Sequence, residues 1–225
     1  MKVIFLGYRE WSLKVFESVK NNNKISKFAL CKTEEELKLK NLNDYDLLIT
    51  CGWSEELGEE ISLNIKSIGV HCAELDRYSY GTPIQNQIID GILVTKHRVF
   101  DFTFDKNSKR AHTHNRLYSH EVDLDLSGSM NDILIQMTET SIVLFNNFLN
   151  DYPNICWKEW PEEDIVRKKR VPLDSKLSKD QFLEMNTIEI YNFFRCLESP
   201  YPNAYFEDKN GKVFIEKVRY EKKNN

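Results

Sequence analysis

The chain has 225 residues, a formal net charge of −4, 41% hydrophobic residues and 12% aromatic residues. That length and apolar content suit one sizeable core, or one core with a small appendage. The mild acidic balance excludes general nucleic-acid binding, which shows a basic face or a high pI, and no run approaches the ~18 apolar residues of a membrane span.

The five cysteines, Cys31, Cys51, Cys72, Cys156 and Cys196, form no CxxC pair, and their odd number points to free thiols in a reducing cytoplasmic setting. The opening Met-Lys-Val-Ile-Phe-Leu-Gly runs straight into a strand pattern, without the long apolar region of a secretory signal.

In chain order, Lys2 to Leu6 predicts a buried strand, with a turn at Gly7-Tyr8. Trp11 to Lys20 predicts an amphipathic helix with Leu13, Phe16 and Val19 inward. Ile25 to Cys31 predicts a second strand, and Thr33 caps a helix opened by acids. Asp46 to Cys51 predicts a buried strand, Glu55 to Asn64 a helix and Ser67 to His71 another strand. Strands alternating with helices predict an α/β, Rossmann-like domain whose parallel strands are joined by right-handed crossovers.

The pattern then changes. Thr95 to Asp105 and Arg110 to Leu126 alternate around a turn at Lys106 to Lys109, predicting a long β-hairpin and hence a mixed, mainly parallel sheet. Ser129 to Leu149 predicts a long helix in which Ser129 and Asp132 form a capping box. A boundary near residue 160 separates this domain, 1–160, from a linker and small C-terminal element, 161–225. The run Arg167-Lys-Lys-Arg170 is expected to be solvated linker rather than a phosphate patch. Ser178 to Leu197 predicts a capped helix, and Tyr201 to Tyr220 a hairpin turning at Lys209-Asn-Gly211, where Asn-Gly favours a type I′ turn. The open edge of that hairpin is a place where a second subunit would pair to give a homodimer.

The segment from Ile68 to Gly91 carries the most chemical information. An apolar strand ends on His71, a loop containing Gly81 and Pro83 follows, and a helix begins at Ile84. Open α/β sheets place their chemistry at the carboxyl ends of such strands, and a histidine near neutral pKa can exchange protons there. Gly81 permits a tight turn or a close ligand approach. Tyr78 and Tyr80 either stack on a ligand ring or cover the core. Trp11 and Trp53 follow turns at the same end of the sheet and are equally readable as core or ligand-facing. On the hairpin, His112 and His114 share a strand face, with Asn115 and Arg116 continuing a polar strip. No further Asp, Glu or Cys stands at a spacing that completes a zinc set with them, so no metal is expected.

His71, Gly81, Pro83-Ile-Gln85 and Asp90-Gly91 together resemble the signature of the folate-dependent formyltransferases. The opening strand is similar to theirs, Gly7-Tyr-Arg-Glu-Trp11 resembles the variant in sugar-modifying members, and Cys51-Gly-Trp53 stands where a Tyr-Gly or Gly-Trp pair lies along the folate. Leu124-Asp-Leu-Ser-Gly-Ser129 and the stretch from Arg195 to Tyr205 also fit. The resemblance implies a formyltransferase fold, 10-formyltetrahydrofolate as donor, and a nucleotide-linked amino sugar from surface-polysaccharide synthesis as acceptor.

The resemblance also implies site residues: His71 with His112, His114 or Asp105 in catalysis, Gly52, Trp53, Gly69 and Gly81 along the folate, and Tyr8, Trp11, Tyr78, Asn115 and Arg116 toward the acceptor. The chain departs from the family in having Gly69 where those enzymes carry the carbonyl-binding Asn, and in lacking their Asp-x-Gly loop. Asp105 either supplies that carboxylate or is a turn residue. Two alternatives therefore stand beside formyl transfer: a different acyl donor or histidine–metal chemistry on the same scaffold, and a non-catalytic protein that binds folate or nucleotide sugar.

Overall fold

The computed structural model describes residues 1–54, 57, 61, 64–73, 75–78, 81–102, 117–160 and 167–223. One seven-stranded sheet, in the order β2-β1-β3-β4-β5-β6-β7, organises the chain. β1 (Lys2–Leu6), β2 (Lys27–Cys31), β3 (Leu47–Thr50) and β4 (Ser67–His71) run parallel. β5 (Val94–Asp101), β6 (Leu117–Asp125) and β7 (Lys158–Glu159) continue it antiparallel. The sheet is thus mixed, and the chain is α/β. Residues 103–116, including the predicted hairpin tip, lie outside the described residues.

The parallel strands are apolar throughout because they are covered on both faces. Val3 and Phe5 of β1 join Leu47 and Ile49 of β3 on one face, beneath α1 (Glu10–Val19) and α5 (Met130–Asp151). Ile4, Leu6 and Leu48 point to the other face, with Leu37 of α2 (Glu34–Lys38), Leu57, Ile61 and Phe100. On α1 the buried side chains are Ser12, Val15 and Val19, so Val15 rather than Leu13 takes the inward position. The expected caps are present: Thr33 accepts from the Glu36 amide, and Ser129 and Asp132 cap α5 reciprocally.

α3 (Leu75–Tyr78) and α4 (Pro83–Ile89) follow β4. Beyond β7 the chain forms α6 (Lys179–Glu184), α7 (Thr187–Arg195) and the hairpin β8 (Ala204–Asp208) and β9 (Gly211–Ile215). The single helix expected over Ser178 to Leu197 is two, because Asn186 accepts from the Ile188 and Glu189 amides and so caps a new start. The hairpin is present, but neither Lys209 nor Asn210 has a positive φ, so the turn is not type I′. Instead the Asn210 amide donates to Asp208 Oδ1 at 2.7 Å.

The C-terminal elements share a core with the sheet. Leu177, Phe194, Leu197 and Ala204 pack with Ile84, Ile88, Leu126 and Ile133. Arg195, 1% exposed, fixes this contact: its Nη1 donates to the Leu126 and Gly128 carbonyls at 2.6 and 3.0 Å, and its Nε to Asn192 Oδ1 at 2.9 Å. Glu198 Oε2 accepts the Met130 amide at 3.1 Å, at the first turn of α5. The motif beginning at Arg195 therefore anchors the start of the long helix. No helix among the described residues is long and apolar enough to cross a membrane.

Candidate active site

The chain goes from β1 outward to β2 and returns on the other side of β1 to form β3. That reversal opens a crevice at the carboxyl ends of β1 and β3. A cavity of about 340 Å³ lies there, extending to the end of β4. Its wall includes Arg9 after β1, Gly52 and Trp53 after β3, His71 at the end of β4, and Gly81 before α4. A second cavity, of about 470 Å³, adjoins it between the start of α1, the outer side of α5 and Ser199-Pro200. Arg9, Trp11 and Tyr201 line both.

His71 is half-buried, with its ring edge-on to Phe100 and Trp160 at centroid distances of 6.2 and 6.4 Å. Gly52 has φ +64°, and a Cβ there would come within 3.0 Å of Ser12, so only glycine combines that turn with so close an approach of α1. Trp53 stands edge-on to Tyr8, and its Nε1 is buried without a hydrogen-bond partner among the described residues. The Arg9 Nε–H donates to the Gly52 carbonyl at 3.2 Å, tying the β1 and β3 loops together.

Gly81 (φ +86°) and Thr82 (φ +52°) are both left-handed, and they turn the chain into Pro83 at the start of α4. A β-branched residue is a genuine outlier in that region. Thr82 is held by its surroundings: its hydroxyl donates to the Gly81 carbonyl at 2.7 Å and accepts the Arg170 amide at 3.1 Å. The basic run is therefore not free linker. Arg167 pairs with Asp90 at 2.9 Å, and the Asn86 side chain donates to the Lys168 carbonyl at 3.0 Å. Lys169 lays its stem over Gly81, 3.3 Å from where a Cβ would stand, and enters the cavity wall. With Arg9 it makes the wall cationic, and no carboxylate lines the cavity among the described residues.

Several expected site residues are brought together: His71, Gly52, Trp53, Gly81 and Trp11 all line the main cavity. Tyr8 lies in the adjoining one, its hydroxyl 2.9 Å from Ser54 Oγ. Two are placed elsewhere. Gly69 lies inside the sheet, paired with Thr50 on one side and Phe100 on the other, and does not reach the cavity. Tyr78 is fully buried and donates to Asp90 Oδ2 at 3.0 Å, so its phenol serves the core rather than a ligand. Burial and then Asp90 push that phenol up to about 12. Asp105, His112, His114, Asn115 and Arg116 lie outside the described residues. No group of three or more His, Cys, Asp or Glu among the described residues is arranged to hold a metal.

Sequence reasoning missed His97, Lys169 and Tyr201. His97 is 1% exposed on β5, with Nδ1 2.8 Å from Thr140 Oγ1 of α5. Burial, reinforced by His71, pushes its imidazole down to about 3. By strand alternation His97 faces α5, whereas His71 faces away from it with Phe100, so the cavity at the strand ends is bordered from both sheet faces. Tyr201 is brought in by the Ser-Pro-Tyr-Pro turn, and burial raises its phenol. The only signal for these residues was their neighbourhood: a histidine on a predicted strand, and a tyrosine inside a motif already noted for its resemblance.

Comparison with protein-family models and with curated proteins finds no match. Solved structures do match. The methionyl-tRNA formyltransferase from Clostridium thermocellum superposes with a TM-score of 0.79 at 21% identity, covering 98% of this chain and 94% of that one. A 4-N formyltransferase from Francisella tularensis gives 0.74 at 17% identity, with 98% of each chain covered. HypX from Aquifex aeolicus, solved in complex with tetrahydrofolic acid, gives 0.73 at 13% identity over 96% of this chain and 37% of that one. The protein has the fold of the formyltransferases.

Proposed function

We propose that this protein is a folate-dependent N-formyltransferase that moves the formyl group of 10-formyltetrahydrofolate to the amine of a nucleotide-linked amino sugar. The observation that carries the reading is the pair of adjoining cavities sharing Arg9, Trp11 and Tyr201, with His71 in the wall of the first. Two substrates must meet at one carbon, and two cavities with a common wall provide for that. The likeness to enzymes whose names specify formyl transfer, including a 4-N formyltransferase, supports the same reaction class. The first cavity would hold the donor beside Trp53 and Gly81. The second, with Tyr8 and Trp11, would hold the acceptor's sugar and base.

In the reaction the amine nitrogen forms a bond to the formyl carbon, and the carbonyl electron pair moves to oxygen. Collapse breaks the bond to the donor nitrogen, which gains the proton that the amine loses. In this reading His71, in the cavity wall, takes that proton and returns it. The oxyanion needs donors; Gly69 has no side chain to offer one, while Trp53 and Lys169, whose side chains carry N–H donors, are among the residues lining the cavity. Lys169 and Arg9 also suit an anionic ligand.

The test is calorimetric titration with a stable 10-formyltetrahydrofolate analogue and a panel of thymidine- and uridine-diphosphate amino sugars, followed by a formyl-transfer assay. Folate binding and a formylated sugar uphold the proposal. No formyl product from any amino sugar sinks it. A second reading is favoured by Gly69, which removes the side chain that would bind the carbonyl: the scaffold binds these ligands without turnover. A clear fall in turnover for His71→Ala excludes that reading.

A further inference from the structure

The two ring nitrogens of His97 are in unlike surroundings, and the difference fixes the tautomer. Nδ1 lies 2.8 Å from Thr140 Oγ1. The same hydroxyl donates to the Gln136 carbonyl at 2.7 Å, with the Met137 carbonyl at 3.3 Å. A carbonyl can only accept, so the hydroxyl's one proton is committed to α5. Thr140 Oγ1 therefore accepts from His97, and the proton of the ring sits on Nδ1. In a neutral imidazole this leaves a lone pair on Nε2. That nitrogen is buried, on the edge of the ring turned away from Thr140, and has no hydrogen-bond partner among the described residues. His97 itself lines the main cavity. A buried acceptor left unpaired is costly, and such groups persist where a ligand completes them.

We infer that His97 Nε2 accepts a hydrogen bond from the attacking amine and aims its lone pair at the formyl carbon, with Thr140 as the positioning residue that keeps Nε2 unprotonated. The inference rests on the formyl-transfer reading of the cavity. A primary amine has two N–H bonds. One proton is lost as the new N–C bond forms, and the other stays on the product formamide, so the bond to Nε2 is available from substrate to product. His97 thus holds the nucleophile, while His71, bordering the cavity from the other face of the sheet, handles the departing proton. The same geometry selects primary amines, since an N-methylated acceptor has no second N–H to leave on Nε2.

The experiment combines spectroscopy on the free protein with kinetics. Long-range proton–nitrogen correlation on histidine-labelled protein reads the tautomer directly; the expected form is Nδ1–H, with Thr140→Val mixing or reversing it. An Nε2–H tautomer or an imidazolium at neutral pH overturns the inference. With 10-formyltetrahydrofolate and a thymidine-diphosphate amino sugar, His97→Leu is expected to lower kcat/KM for the acceptor about tenfold or more, the value of one lost bond, with the donor KM unchanged. His97→Gln, which restores an acceptor oxygen, is expected to recover part. Wild-type kinetics in the leucine variant, or an equal fall in both variants, overturns it. Absence of formyl product from the wild-type protein removes the formyl-transfer reading instead, and the tautomer still decides the geometry of His97.

Discussion

The Phe100 ring occupies the space that a side chain at Gly69 would need: a Cβ on residue 69 would stand 2.8 Å from Phe100 Cε1 and 2.5 Å from Thr50 Oγ1. The departure from the formyltransferase pattern at this position is therefore a packing solution. Thr50 has little freedom to yield, because its hydroxyl donates to the Ile68 carbonyl at 3.2 Å. Gly69→Ala is expected to destabilise the fold by about 1–3 kcal/mol, as overpacking does. Adding Phe100→Leu should recover part of the loss, with a coupling of at least about 0.5 kcal/mol between two touching sites. Urea denaturation of both single variants and the double variant measures this. Strict additivity would show that Phe100 is not what forces glycine at 69.

His97 makes stability depend on pH in a definite direction. Its folded pKa, pushed down to about 3 by burial and then by His71, lies below the unfolded value of ~6.5. Below pH ~6.5 the unfolded chain binds a proton that the native state refuses, so stability is full above that pH and falls as the pH drops. The slope from one such group approaches ~1.4 kcal/mol per pH unit. His97→Gln should remove this component, so denaturation at about pH 7 and about pH 5 should separate wild type and variant. The same slope in both would mean that His97 is not held neutral.

The parallel half of the sheet was legible because strands covered on both faces read as unbroken apolar runs, such as Val3 to Leu6 and Leu47 to Ile49. His71 was legible because it ends such a run. His97 was not, because it stands between Lys96 and Arg98, both ion-paired to the next strand. Its burial is created by α5, whose Thr140 lies 43 residues further on. The basic run hid Lys169 for a similar reason: four charged residues in a row read as solvated, and the contacts that dock them come from Thr82, Asn86 and Asp90 on the segment after β4. Tyr78 was read as ligand-facing for want of any sign that a helical turn would carry its phenol to Asp90.

Lys169 has a charge consequence. With Arg9 it supplies the cationic part of the main cavity wall, so an anionic ligand should bind more weakly as salt rises. Lys169→Glu is expected to weaken a 10-formyltetrahydrofolate analogue or a nucleotide diphosphate by about tenfold and to flatten the salt dependence. Arg219→Glu, which changes net charge equally at a highly exposed C-terminal position, is the control. Equal losses in the two variants would mean that only net charge matters.

Arg195 tests whether the C-terminal elements hold the site together. Its guanidinium spans Leu126, Gly128 and Asn192 from a position 1% exposed to solvent. Burial lowers its pKa, but not enough to discharge a guanidinium. Arg195→Leu removes the guanidinium and leaves two carbonyls without their donor, a loss of about 3 kcal/mol for charge-assisted bonds. Arg195→Lys cannot reproduce the planar fork and should recover only part. Because Leu126 and Gly128 lead into α5, which carries Met137 to the cavity and Thr140 to His97, ligand affinity should fall with stability in both variants. Thermal denaturation with and without a folate analogue separates the two effects. A variant that melts early yet binds with wild-type affinity would mean that Arg195 supports the fold without placing α5 at the site.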